Sequence, residues 1–558
     1  MRPGSVILGR VPISGVRGAV AAGHQVAAEV ALDAIRRGGN AVDAAIAGAF
    51  ASFVVEPQMC GIGGHGRMSV YLAKSDRAVG IDHFIRAPKA ATPEMYSEAL
   101  ARWRSSGRGG VEGAINTTGH LSVGIPGSIA GLWDAHRRFA SLPWKSLVGP
   151  AIDLARAGIV ADVNLTSSIN GRRAEICQYP EAVRLLLDDS LPPHVATPSG
   201  PRHRFEFADM ANTLRAIAET GAAAFYEGPL AAAIAREMAD NGGLLSAEDL
   251  SGYRPETFLQ PWHAYRGRDY ATCGDLIFVE CLNILERFDL SALDPHGWES
   301  RHLIAEALAQ AFSDNFAHAG DPRHRDSPLE GLSSKSFAAA QAARIRTDKA
   351  QLSYEPSDPW SHQGWAPSVP PPPFEGTTQI CTADGDGNMV SLITSLGSAF
   401  GSLVLVPGTG IFLGNAMQWF DPQPGRANSV GPGRMPLYAA PAVIFRNGGQ
   451  ALGAIAASGG YRIQTAIIHS VLNYLDYNIE PQRSMDLPRL HHDGEELEID
   501  SRTDPVAIAH LRGLGHPVRL IDGVGTPVSF GRPSAVWRMP DKSLVPASDA
   551  RGGGVAAF

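Results

Sequence analysis

Cysteine is scarce in this 558-residue chain and lies scattered: Cys60, Cys177, Cys273, Cys281 and Cys381 form no CxxC pair. An odd, dispersed set supports neither a disulfide framework nor a cysteine zinc site. Charge is thin as well. It makes up 19% of residues with a net of −8, and the arginines form short clusters rather than a basic block. That composition argues against nucleic acid as a partner. Membrane-length apolar runs are missing too. The best candidate, Ala41 to Val55, is short and holds Asp43, so it reads as a buried helix. The first ten residues lack the apolar core and small-residue cleavage site of a secretory signal, which makes cytoplasmic the default expectation. Gly61, Gly63 and Gly66 have dinucleotide-fingerprint spacing, but a helix precedes them and a strand follows, the reverse of what pyrophosphate binding needs. Close backbone approach to a ligand or a neighbouring strand is expected there instead. Nothing in the chain supports a metal, flavin or nicotinamide cofactor.

What the chain has in quantity is glycine (61) and proline (40), beside 44% hydrophobic residues, which fits a globular protein rich in turns. Periodicity predicts helices over His24 to Arg37, stopping at Gly38-Gly39, and over Ala41 to about Phe53, capped by Asn40. It predicts more over Ser128 to Phe139, Trp144 to Ala157, Leu230 to Asn241, Ile277 to Phe288, His302 to Ala319 and Ile463 to Leu475. Strands are expected at Arg67 to Ala73, around His263 to Thr272, and at Met389 to Thr394, Leu403 to Leu413, Ala440 to Phe445 and Ala451 to Ala456. The expectation is an α-rich first part, a β-rich second part, and two sheets covered by helices. Periodicity alone says only mixed α and β.

The change of character falls at a proline-rich connector, residues 366–375, followed by Gly376-Thr377-Thr378-Gln379-Ile380-Cys381. Proline fixes φ and removes donors, so the connector reads as extended and easily cut. If the Gly376–Thr377 bond is broken, Thr377 carries a hydroxyl nucleophile and an α-amine of pKa near ~8 that can serve as its base. An interdomain linker followed by an ordinary hairpin explains the same stretch. Two further features bear on the choice. Ser395, ending the next strand, can set a hydroxyl against Thr377, and the turn Gly459-Gly460 can aim backbone N–H groups at an oxyanion. Nucleophile, supporting hydroxyl and oxyanion donors are the parts acyl transfer requires.

With these residues the chain resembles the γ-glutamyltranspeptidases, within the N-terminal-nucleophile hydrolases. The likeness spans nearly the whole length. It includes Gly38 to Ala44, Val55-Glu56-Pro57, Gly61 to Gly64, Phe225 to Gly228, Leu244 to Leu250, Thr377-Thr378, Asp386 to Asn388, Phe400 to Ser402, Pro407 to Ile411 and Gly459-Gly460. The resemblance implies an α+β fold, a four-layer αββα sandwich. It also implies self-cleavage before Thr377 into pieces 1–376 and 377–558 that form one intertwined domain. Thr377 would be the nucleophile, Ser395 the supporting hydroxyl, and Gly459 and Gly460 the oxyanion hole. The partners so implied are a small-molecule substrate and the two pieces of one precursor; the assembly state, a homodimer of heterodimers included, is left open.

The departures concern recognition. Where the family has Asp-x-Arg-Glu-x-Ala-Pro, this chain has Asp82-His83-Phe84-Ile85-Arg86-Ala87-Pro88, with Phe84 at the carboxylate-gripping Arg. Arg86 either substitutes for it, from the same face of a strand, or is a solvated charge. Ala416 and Trp419 replace a Gln and the Asp that meets the substrate ammonium, Gly397 stands for an Asn, and Tyr438 lies where a serine pair is lost. His65 and Arg67 are either new polar contacts or satisfied loop residues. Losing the partner of a charge in a closing pocket costs roughly 3–5 kcal/mol, so a zwitterionic glutamyl end is disfavoured. Three readings follow. The first is a self-processing threonine hydrolase cutting an amide, or a carbon–carbon bond beside a carbonyl, in a small non-γ-glutamyl substrate, a chemistry suited to specialised metabolism. The second is a genuine γ-glutamyl transferase or glutathione hydrolase. The third is an unprocessed, non-catalytic relative.

Overall fold

The computed structural model describes residues 11–103, 109–187, 204–321, 323–324, 327–362, 377–437, 440–523 and 529–558. Gly376, the connector and Tyr438 lie outside them. The main strands before residue 377 are β1 (Gly18–Ala22), β2 (His65–Leu72), β3 (Arg77–His83), β4 (Glu256–Leu259), β5 (His263–Tyr265) and β6 (Arg268–Thr272). After it come β7 (Thr378–Asp384), β8 (Met389–Ser395), β9 (Val443–Asn447), β10 (Gln450–Ser458), β11 (Arg532–Arg538), β12 (Leu544–Ser548) and β13 (Gly554–Ala557). They form one sheet in the order β13-β1-β7-β8-β2-β3-β4 and another in the order β12-β11-β10-β9-β6-β5. Every pairing in both is antiparallel. Each sheet takes strands from both sides of residue 377, so neither part of the chain has a sheet of its own.

Helices α1 (Gln25–Arg36) and α2 (Ala41–Val55) cover the first sheet. On the second lie α3 (Leu276–Leu285) and α5 (Arg462–Leu475), with α4 (Trp298–His318) packed behind α3. This is the αββα sandwich that the resemblance implies. One apolar cluster joins α2 to Met68, Val70, Ile380, Val390 and Leu392, and the other fills the space between the sheets and under α3 to α5. Helix α2 is apolar on every side because it is buried on every side. Its one charge, Asp43, is fully buried and accepts hydrogen bonds from the N–H groups of Asn40, Ser141 and Leu142 and the Ser141 hydroxyl. No helix among the described residues is long and apolar enough to cross a membrane.

Several expected boundaries move. The 403–413 stretch keeps only two-residue pieces, Leu405–Val406 and Ile411–Phe412, around its Pro-Gly turn. The strand expected from Ala440 starts at Val443, after Pro441, which cannot donate to a ladder. β1 and β3 carry no clear alternation and went unread. The glycine run before β2 does serve close approach to a neighbouring strand: a Cβ on Gly64 would sit 2.2 Å from Ser395 O, and one on Gly66 2.1 Å from Ile393 O.

Candidate functional site

Thr377 stands one residue before β7, and the ladder decides what it meets. In the β7–β8 register Thr378 faces Thr394, and in the β8–β2 register Ser395 faces His65. Alternation then turns Thr377, Ser395, His65 and Arg67 toward the second sheet and Thr378 toward the helices. Thr377 Oγ1 and Ser395 Oγ are 3.2 Å apart and fully buried. Ser395 Oγ also accepts the Gly397 N–H at 2.9 Å, which holds the oxygen in place while its own proton stays available. On the helix side Thr378 Oγ1 donates to Glu56 Oε2 at 2.8 Å. Burial pushes the Glu56 carboxyl above its ordinary pKa, against the pull of His24 and Arg532. Sequence reasoning gave Glu56 no role; the available signal was an acid placed directly after a helix whose last twelve residues carry no charge.

Hydrogen bonds between the sheets fix their alignment. Ser391 Oγ donates to Ile455 O, Ser69 Oγ to Ala442 O and Arg67 Nη1 to Gly274 O. Continuing along β8 to Ser395 and along β10 to Ser458 therefore leads to the same end of the sandwich. There β10 turns through Gly459 and Gly460, with φ +128° and +57°, into α5. The left-handed region suits glycine, and the turn sets its amides at a helix start.

Around this end the recognition candidates gather unevenly. His65 and Arg67 are neither surface nor loop residues: both are buried in β2. Phe84 lies between them, its ring edge-on to His65 at 4.4 Å and under the Arg67 guanidinium at 5.4 Å. Burial, with His83 and Arg67 nearby, pushes the His65 pKa well below its usual value, so the ring is neutral. The Arg67 charge is committed to Asp82, whose Oδ2 is 3.2 Å from Nε. Arg86 is not a merely solvated charge: the strand ends at His83, so alternation does not reach residue 86, and its Nη2 pairs with Glu256 at 2.7 Å. Gly397 has φ +99°, and a Cβ there would lie 2.1 Å from Asn415 Oδ1, so glycine is set by the turn itself.

Ala416 and Trp419 lie in one short helical turn, both fully buried. Trp419 stands edge-on to Tyr461, the residue after Gly460, at 5.6 Å, and Tyr461 in turn meets Phe312 and Phe316 of α4. This aromatic wall beside the glycine turn was invisible in sequence, because Phe312 and Phe316 lie more than 100 residues before Trp419, and Trp419 lies 42 before Tyr461. The ensemble can support attack by a hydroxyl on a carbonyl, with a second hydroxyl against the first and a glycine turn at the same end.

A family model described as Gamma-glutamyltranspeptidase matches residues 27–558. The chain is 31% identical to the Acylase ACY 1 proenzyme of Pseudomonas sp. (strain SE83), over 97% of this chain and 94% of that one. It is 30% identical to the Glutathione hydrolase proenzyme of Bacillus subtilis (strain 168), over 90% and 85% respectively. The crystal structure of cephalosporin acylase from Bacillus halodurans superposes with a TM-score of 0.86 at 27% identity, covering 100% of this chain and 98% of that one. The protein is an enzyme of the N-terminal-nucleophile hydrolase kind, and the chain belongs to the gamma-glutamyltranspeptidase family.

Proposed function

We propose that this enzyme cuts itself before Thr377, giving pieces 1–376 and 377–558 of one intertwined domain, and then hydrolyses an acyl bond in a small substrate that is not γ-glutamyl. Hydrolysis of the peptide bond between residues 376 and 377 frees the Thr377 α-amine, which takes the hydroxyl proton as Oγ1 adds to the substrate carbonyl. Ser395 orients Oγ1, and the Gly459-Gly460 turn offers N–H groups to the oxyanion. The amine returns the proton to the leaving group, and water then resolves the ester on Thr377. An amide is the bond proposed, with a carbon–carbon bond beside a carbonyl open to the same steps. A specialised-metabolite substrate suits that chemistry.

The carrying observation is the 3.2 Å contact between Thr377 and Ser395, in a chain whose buried Phe84, Ala416 and Trp419 occupy positions where a zwitterion-binding member would need polar or charged groups. The likeness to relatives named as acylases supports the same direction. The likeness to a glutathione hydrolase favours a second reading, a γ-glutamyl hydrolase or transferase. A panel of p-nitroanilides separates the two. Under the first reading, aliphatic or aromatic acyl anilides turn over at least ~10-fold faster than the γ-glutamyl anilide, the scale of one lost methylene-sized or polar contact. Preference for the γ-glutamyl anilide would transfer the assignment to the second.

A further inference from the structure

We infer that His302, Glu306 and His516 form a binding site for one divalent transition-metal ion of the zinc class. His302 and Glu306 are four residues apart on α4 and so share a face. His516 arrives from a segment more than two hundred residues later. One ligand atom from each lies within 4.8 Å of the other two, and all three residues are buried. The imidazole nitrogens are 2.8 Å apart, a hydrogen bond that an ion would replace, and His516 is 3.9 Å from Glu306; the two spacings lie either side of the ~3.3 Å edge of a tetrahedral zinc site with bonds of about 2.0 Å.

Two observations point to a cation. The His302 Nε2–H donates to Arg346 O at 2.6 Å, which leaves Nδ1 as a lone pair facing the cluster, the arrangement that orients metal-binding histidines. Glu306 is fully buried and accepts from Gln351 N, Gln351 Nε2 and Tyr354 Oη, yet among the described residues no lysine or arginine pairs with it. Two imidazoles with one carboxylate suit zinc or cobalt better than magnesium or calcium, which prefer all-oxygen sites. His492 is outside the set. Its Nδ1 accepts the Gly494 N–H, fixing the proton on Nε2 and leaving no lone pair to give.

The site joins α4 and the 346–354 segment, both before Thr377, to a residue after it. An ion there would hold the two parts of the chain together.

The test uses untagged full-length protein stripped with EDTA, then desalted after exposure to Zn²⁺ or Co²⁺. The expected results are about one ion retained per chain, visible ligand-field bands of low-coordinate Co²⁺, and a thermal midpoint raised by zinc. Glu306→Gln and His516→Gln should each weaken retention at least ~10-fold, the lower end of the loss seen on altering a metal's surroundings. His510→Gln, on the exposed helix nearby, should change nothing. Wild type that retains no ion and shows no cobalt bands, whatever the variants do, overturns the inference. So does retention unchanged in both ligand variants.

Discussion

Thr377 and Ser395 meet through hydroxyls at the ends of paired strands, whereas Phe84, Ala416 and Trp419 meet their surroundings through ring and methyl surfaces in turns. The first group is positioned by the β7–β8–β2 ladder, whose register cannot slip without turning Thr377 to the helix side. The second sits just past the end of β3 and in the 416–419 turn, where side chains can change without disturbing any ladder. Charges near the rim are already matched inside the protein, Arg67 by Asp82 and Arg86 by Glu256. The reacting end is thus held by backbone geometry and the rim by side-chain identity, which is how one can persist while the other is rebuilt.

The comparison can be broken in order of expected effect. Thr377→Ala should lower turnover of the true substrate by at least ~10⁴-fold in a product assay, since no other group supplies the nucleophile. Turnover left intact would move the chemistry away from this end altogether. Arg67→Met takes the charged partner from the half-buried Asp82, which keeps the Phe84 N–H, and should cost roughly 1.5–3 kcal/mol in chemical denaturation. A near-neutral result would mean that the rim charge is not internally matched. Ser395→Ala should reduce turnover by about 10² while the fold survives, the lower range for a group assisting proton movement.

The pH dependence tests the stretch just after the 416–419 turn. Burial pushes the Asp421 carboxyl up to about 7. The folded state then holds a proton that the unfolded chain releases near ~3.9, so this group's contribution to stability is full below that pH and is lost as pH rises toward 7. Asp421→Asn should therefore gain roughly 1–3 kcal/mol over wild type at pH 8 and nothing at pH 4. A gain independent of pH would contradict the assignment. The smallest effect is reserved for Arg86→Gln. Glu256 keeps Arg323 at 2.5 Å, so stability should change by less than about 1 kcal/mol and turnover by less than about 2-fold. A large rise in KM would restore Arg86 as a substrate anchor.

Local chemistry was legible in the sequence where it is local in space. Helices Ser128–Phe139 and Trp144–Ala157 end where their periodicity and flanking prolines and glycines say, and Ser395 meets Thr377 because strand spacing and turn length are short-range facts. The four-layer arrangement was not legible from periodicity and came through resemblance. β1, five residues just before α1, shows no alternation yet lies against both β7 and β13. Partners distant in sequence escaped for the same reason: Glu256 beside Arg86, Tyr461 beside Trp419, Glu56 beside Thr378. Arg86 was read by strand alternation one turn of chain too far, since the strand stops at His83.

Self-cleavage before Thr377 is the central claim, and intact mass spectrometry of purified wild type beside Thr377→Ala tests it directly. By residue share of 59.1 kDa, the wild type should give pieces of about 40 and about 19 kDa, the smaller beginning at Thr377, and the variant one uncut chain. A single 59.1 kDa species in both, or cleavage that survives the substitution, would contradict the account.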